Sequence, residues 1–246
     1  MQNERLRAAL LERGLTLDEL ANAIDVDPKT VERWVTTNRT PYRRHRYAVA
    51  AQLGLDETYL WPDALSPDQV AGASESEILT VYPHRWAVPS DLWRRMFETA
   101  EREIGVLVYS GLFLSEDAGT HQVFRAKADA GVRVRILLGD PESPVVAQRG
   151  ADEGLDDAMA AKIRNALVMY ARLRQVEGID FRLHDTILYN SIYRADDQLL
   201  VNTHIYGFAA AHAPVIHLRK VAGGSMVSNY LDSFERVWDR ARELEA

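Results

Sequence analysis

The chain has 246 residues, 47% of them hydrophobic, with 36 acidic against 29 basic side chains and a formal net charge of −7. That content can bury the core of one or two domains, and no apolar run approaches the roughly 20 residues that a membrane-spanning helix needs. The lack of cysteine excludes disulfides, thiolate metal sites and cysteine nucleophiles, while the charged start, MQNERLRAALLERG, is unlike a secretion signal, so the expected compartment is the cytoplasm.

Helical patterns are predicted over Glu4 to Glu12, Leu17 to Ile24, Pro28 to Thr36 and Arg43 to Leu53, with a short turn near Thr58. The breaks are explicit: Gly14 stops the first, Thr16 with Glu19 can cap the second, Asp27 with Pro28 starts the third and Gly54 ends the fourth. The acidic total hides a basic island, since Lys29, Arg33, Arg39, Arg43, Arg44 and Arg46 face only Glu32 between Pro28 and Arg46.

TLDELANAIDVDPKTVERWVTTNRTP has the spacing of a helix-turn-helix, with small Ala21 at the helix crossing and Ile24, Val26, Val31 and Trp34 as a shared apolar core. Over residues 1–64 this resembles the Cro/repressor (XRE) family of DNA-binding domains. That family usually has Gly at the turn where this chain has Asp25, a residue that tolerates left-handed backbone better than most. The resemblance implies a third helix in the major groove, with Lys29, Thr30 and Arg33 at base edges or nearby phosphates and Thr37, Asn38, Arg39, Arg43 and Arg44 on the backbone. A helical protein-interaction module with a solvated basic face is the alternative. One such domain covers about one half-site, so the implied partner is double-stranded DNA with a palindromic operator, bound by a homodimer at the nucleoid.

Residues 65–77, within PDALSPDQVAGASESE, show no sustained hydrophobic period and read as an interdomain linker, or else a buried loop. From Ile78 strands and helices alternate: ILTVYPHRWAV, a helix in DLWRRMFETAEREI, the strand GVLVYSGLF, a helix near THQVFRAKADAG, and the strand VRVRILLGD. There follow one long helix from Leu155 to Val176, the strand IDFRLHD, a hairpin in YNSIYRADDQLLVNTHIYG, the strand VIHLRKVA and a last helix from Ser225 to Leu244. Such alternation implies parallel pairing through crossovers and an α/β domain over 78–246.

GIDFRLHDTILYNSIYRADDQLLVNTHIYG and the later YLDSFERVWDRA resemble one half of a phospholipase D-type fold. The expected fold is therefore an all-α helix-turn-helix domain joined to an α/β, phospholipase D-like one. Members of that superfamily carry His-x-Lys-x4-Asp, and aligning the aspartates puts Tyr189 in place of the histidine and Ser191 in place of the lysine, leaving Asp196. Tyrosine and serine replace neither the phospho-enzyme-forming imidazole nor the phosphate-binding cation, so the resemblance implies a degenerate domain that senses a ligand and dimerises, without enzymatic activity.

Hairpin geometry can be worked out from the sequence. With Asp196 and Asp197 as the loop, Ser191 faces Asn202 and Tyr189 faces His204, so these four share one face while Ile192, Leu199 and Val201 share the other. The polar face is a candidate recognition surface, or simply the wet side of a hairpin. Strand ends add Tyr109, Ser110, Asp140 and His184, and Arg194 is a further cation; Arg149, Arg164, Tyr82, His84 and Arg85 are weaker candidates. The histidines lack metal-ligand spacing, and no P-loop, dinucleotide fingerprint or nucleophile elbow is present, so neither metal nor cofactor is expected.

The expected function is thus a DNA-binding transcription regulator responsive to a small-molecule effector, phosphorylated or nucleotide-like. One alternative is a nuclease or phosphodiesterase directed to DNA by its head, with His184 or His204 supplying the chemistry. Another is an architectural repressor with no effector.

Overall fold

Short polar side chains decide where the first helices begin. In the computed structural model, which describes residues 2–64 and 67–244, α1 (Glu4–Glu12) starts at Asn3, whose side chain accepts from the Leu6 amide. Thr16 and Glu19 form a reciprocal capping box at α2 (Leu17–Ala23). Asp27 caps α3 (Pro28–Thr36), where Pro28 takes a first-turn position that needs no amide donor. Asp25, between α2 and α3, is left-handed with φ +54°, and Asn38, just beyond α3, has φ +50°. α4 (Arg43–Leu53) ends at a left-handed Gly54, and α5 (Glu57–Leu60) follows. Leu6, Leu10, Leu20, Val31, Trp34, Val49, Leu53 and Leu60 fill the centre. Arg46 leaves the basic island: it turns inward, 3.1 Å from Glu57 and 3.0 Å from the Pro41 carbonyl.

The stretch read as a linker is helical from Pro67 to Glu77 (α6). Proline at its first position starts the helix, and the alanines and glutamates that follow are good helix formers, even though their pattern lacks an apolar stripe. Its last residue, Glu77, is buried and accepts from the Met226 and Val227 amides at 3.0 Å each. Accordingly, one unit comprises Met1–Glu77 with Lys220–Ser228, and a second comprises Ile78–Arg219 with Asn229–Ala246.

The second unit runs β1 (Ile78–Tyr82), α7 (Ser90–Glu98), β2 (Glu103–Leu107), α8 (Leu112–Ser115), α9 (Ala118–Asp129), β3 (Arg133–Gly139), α10 (Pro144–Asp152) and α11 (Ala158–Met169). It continues with β4 (Ile179–His184), β5 (Asn190–Ala195), β6 (Gln198–Thr203) and β7 (Val215–Arg219), then α12 (Met226–Arg240), whose first residues belong to the first unit, and β8 (Arg242–Glu243). The described strands form one sheet in the order β1-β7-β6-β5-β2-β3-β4-β8. Only β2, β3 and β4 pair in parallel, so the expectation of parallel pairing is corrected to a mixed sheet. The two-residue connection between β5 and β6 permits only antiparallel pairing.

α10 opens at Ser143, whose side chain accepts from the Val146 amide at 3.2 Å, with Pro144 at the first turn. The single helix expected from Leu155 to Val176 is α11 followed by a 3-10 segment, Tyr170–Gln175. Its start is delayed by left-handed Gly154 and Asp156, which hold the chain in a turn.

Helices cover both faces of the sheet. On one side α7 brings Trp93 edge-on to Tyr193 at 4.8 Å and Phe97 to Phe124 of α9 at 5.1 Å. On the other, Phe234 of α12 sits over Gly105, where an added Cβ would lie 3.0 Å from its ring. Odd residues of β5 therefore face α7, and even ones face α12.

Asp196 pins the hairpin. Its carboxylate accepts from the amides of Glu101, Arg102 and Glu103 at 2.7, 2.9 and 2.8 Å, at the very start of β2. Burial works to raise this carboxyl, but the three amides and Arg102 outweigh it and hold it below its usual value. The interaction stabilises the fold above the unfolded carboxyl value, about 4, and is lost as pH falls through the depressed folded value. Asp196→Ala should cost about 2 kcal/mol at pH 7 because it orphans these amides. Chemical denaturation should show that loss shrinking well below pH 4; a pH-independent loss would refute the assignment.

Candidate functional site

Strand parity brings Ser191 and His204 together. Ser191 pairs with Asn202 across the hairpin, and His204 follows the end of β6 with its amide 2.9 Å from the Tyr189 carbonyl. Ser191 Oγ lies 3.1 Å from His204 Nε2, and His204 Nδ1 lies 3.1 Å from the Leu188 carbonyl oxygen. A carbonyl can only accept, so Nδ1 carries the ring proton and Nε2 is left to accept from the serine hydroxyl. Burial, reinforced by the Arg149 guanidinium, pushes the imidazole down to about 4 against the pull of the Leu188 carbonyl. His204 is therefore neutral at physiological pH.

The shell around this pair fixes it further. Tyr109 stacks on His204 with ring centres 5.9 Å apart, and its hydroxyl accepts from the Leu188 amide at 3.0 Å. Burial raises the Tyr109 phenol, opposed by that amide and by Arg149, so it stays a neutral hydrogen-bonding group. Beside Ser191, the buried Tyr193 also lines the cleft, and burial raises its phenol against the opposing pull of Arg85 and Ser191. The Leu188 carbonyl can only accept, so the order Ser191, His204, Leu188 is a one-way chain of donors.

A cavity of about 120 Å³ opens over the pair, lined by Tyr109, Ser110, Ser191, Tyr193, His204 and the cations Arg85, Arg149 and Lys162. It has room for a phosphate-sized group. Arg149 is ion-paired with the lining residue Glu153, whose side chain is only 4% exposed, yet the buried Arg149 Nε has no hydrogen-bond partner. An orphaned, charged donor is costly inside a protein.

Of the residues expected to bind an effector, Tyr109, Ser110, Ser191 and His204 line this cavity. The others are placed differently. Asn202 is fully buried, with Nδ2 donating to the Ala213 and Pro214 carbonyls at 3.1 Å. Tyr189 precedes β5, where the chain has left the pleat; it is 81% exposed and borders a groove with Arg236 and Arg240. Arg194 has even parity, so it points to α12, into an ion cluster with Glu103 at 2.9 Å and Glu235 at 3.3 Å. Asp140 is tied to Arg242 at 3.0 Å. His184 is buried, with Nε2 donating to the Val108 carbonyl at 3.0 Å and Nδ1 accepting from Thr186. Lys162, Glu153 and Tyr193 were not singled out from the sequence, because nothing local marks a helix lysine or a strand tyrosine as cleft-lining.

In the first unit, Lys29, Arg33, Thr37, Arg39, Arg43 and Arg44 are exposed, while Thr30 and Asn38 are half-buried. Val31, Trp34 and Val35 bury the opposite side of α3. The Thr37 hydroxyl donates to the Arg33 carbonyl at 2.6 Å.

Residues 75–245 match the family described as Domain of unknown function (DUF5919). The chain belongs to the DUF5919 family. No curated protein matches it. Among solved structures, this DUF5919 chain is similar to Nuc, a phospholipase D family member from Salmonella typhimurium, at 16% identity over 63% of this chain and 90% of that one, with a TM-score of 0.38. It is also similar to TrmBL2, an archaeal chromatin protein with a novel mode of DNA binding, at 19% identity over 68% of this chain and 54% of that one, with a TM-score of 0.41. A third is phosphatidylserine synthase from Haemophilus influenzae, at 13% identity over 61% of this chain and 36% of that one, with a TM-score of 0.38. Structures named for enzymes thus stand among its neighbours, and the expectation of a domain without enzymatic activity is withdrawn. No described helix is long and apolar enough to cross a membrane.

The His204 imidazole should titrate near 4 by NMR, not near the usual value of about 6.5, and should carry its proton on Nδ1 at higher pH. Because the folded value lies below the unfolded one, this group leaves stability unchanged above about pH 6.5 and lowers it by about 3 kcal/mol as pH falls towards 4. Arg149→Met should move the midpoint upward. A midpoint near 6.5 in the native protein would contradict the buried, cation-flanked setting.

Proposed function

We propose that this DUF5919 protein binds DNA through its N-terminal helices and takes a small phosphate-bearing ligand in the cleft of Arg149, Ser191 and His204. The observation that carries the ligand is the cleft's unmatched positive charge. Arg85, Arg149 and Lys162 face it against Glu153 alone, and the buried Arg149 Nε lacks a partner. A neutral His204 adds no competing charge, and Ser191 and Tyr109 offer hydroxyls for orientation. The cavity's size admits the phosphate.

DNA binding is supported by the exposed cations on and after α3, opposite a face that Val31, Trp34 and Val35 bury. This arrangement suits a helix-turn-helix head of the Cro/repressor type, in which α2 and α3 are the two helices and Lys29, Thr30 and Arg33 approach base edges. The other cations, Arg39, Arg43 and Arg44, approach phosphates. A homodimer on a palindromic operator, with ligand-dependent affinity, completes the reading.

Titration calorimetry of the full chain with inorganic phosphate and glycerol phosphate should show binding that Arg149→Met weakens by about 10-fold or more, as expected for losing a charge-assisted contact. Unchanged affinity in that variant would refute the cleft. For DNA, selection from a random duplex pool should yield a preferred site on which Arg33→Ala costs about 1 to 3 kcal/mol. Arg43→Ala and Arg44→Ala should each lower the slope of log affinity against log salt by about 0.9 on any sequence. Absence of duplex binding at low salt would overturn the DNA reading.

A further inference from the structure

Ser191 and Asn202 are cross-strand partners on one face, yet the fold treats them oppositely. Asn202 is sealed at 0% exposure and serves the backbone, whereas Ser191, itself only 4% exposed, has its remaining surface on the cation-lined cavity. A merely structural serine needs neither an acceptor imidazole of fixed tautomer nor a cavity in front of it. Here the Leu188 carbonyl fixes the tautomer, Tyr109 holds the ring, and the unprotonated Nε2 is the acceptor that the serine hydroxyl reaches.

We infer that Ser191 is a nucleophile and His204 its general base, and that together they cleave a phosphodiester whose phosphate sits among Arg85, Arg149 and Lys162. In the first step Ser191 Oγ forms a bond to phosphorus while its proton passes to His204 Nε2. The bond from phosphorus to one ester oxygen breaks, and that oxygen leaves with the proton from Nε2 as an alcohol. In the second step water attacks the phosphoserine and gives its proton to Nε2. The Oγ–phosphorus bond then breaks, and Oγ recovers the proton. The net reaction is diester plus water to monoester plus alcohol, with no redox change. The cations stabilise charge building on the non-bridging oxygens. Hydroxyl, base and orienting acceptor lie within hydrogen-bond reach, as covalent catalysis of this type requires. A phosphate in the cleft also counters the burial and the Arg149 field that weaken His204 as a base.

This inference rests on the cleft taking phosphate, and the test separates the two. The full chain is incubated with bis(p-nitrophenyl) phosphate, monitored for p-nitrophenolate and acid-quenched for intact-mass and peptide analysis, with phosphate affinity measured on the same preparation. The expected result is turnover together with a p-nitrophenylphosphoryl adduct on Ser191. Ser191→Ala should lose the adduct and slow turnover by about 100-fold or more, and His204→Asn should slow it similarly. In the wild type kcat/KM should fall on the acid side near pH 4, an acid limb that His204→Asn lacks. Phosphate binding with neither adduct nor turnover in the wild type would overturn the inference and leave the ligand reading standing. Turnover that survives Ser191→Ala would overturn it too. Failure to bind phosphate at all would overturn both. The wild-type adduct does not depend on either variant folding.

Discussion

The register of β5 against β6 is the constraint on which the rest depends. Side chains alternate strictly across a sheet, so a slip of one residue would send Ser191 and Tyr193 to the α12 face and bring Ile192 and Arg194 to the cleft. Two residues, Asp196 and Asp197, form the turn. Asp196 takes the left-handed conformation there, and its carboxylate reaches the first amides of β2. One side chain thus sets both the hairpin's phase and its attachment to the parallel half of the sheet.

The two sheet faces use arginine in contrasting ways. Towards α12, Arg135 and Arg194 are compensated by Glu103 and Glu235, and Arg135 lies against the Phe234 and Trp238 rings at 4.9 and 5.0 Å. Removing one member of such a buried set leaves another charge stranded, so the cluster specifies packing more than it adds stability. Towards the cleft the compensation is partial, because Glu153 stands alone among the lining cations. That imbalance, in a setting of reduced dielectric, makes the cleft rather than the cluster the place to receive an anion.

Much of this was legible in the sequence. The caps at Thr16, Asp27 and Gly54 located the N-terminal helices, because each is a local interaction spanning a few residues. The hairpin's alternation paired Ser191 with Asn202, because period and turn length suffice for that. What the pattern could not give was exposure: Asn202 and Ser191 share a face, but whether a helix or a cavity lies above each depends on chain distant in sequence. Arg194 illustrates the opposite case, since its parity already assigned it to the face of Ile192 and Leu199. The α6 helix was missed because its evidence was propensity without an apolar stripe, and the break after α11 because a buried Tyr170 continues the apolar pattern into a tighter helix. Arg149 and Arg85 were weaker candidates in the sequence that the fold brings to the cleft, whereas Lys162 became a site residue only once the cleft itself was formed.

Arg149 reaches the cleft already paired with Glu153. An incoming anion must share or displace that carboxylate, and both species compete for the same guanidinium. A single-point ion such as chloride offers Arg149 little that Glu153 does not already provide. A phosphate, free or esterified, presents two non-bridging oxygens and can engage Lys162 or Arg85 at the same time. The internal ion pair therefore makes admission depend on how many cations an anion can reach at once: an ion that touches Arg149 alone meets a competitor built into the cleft wall.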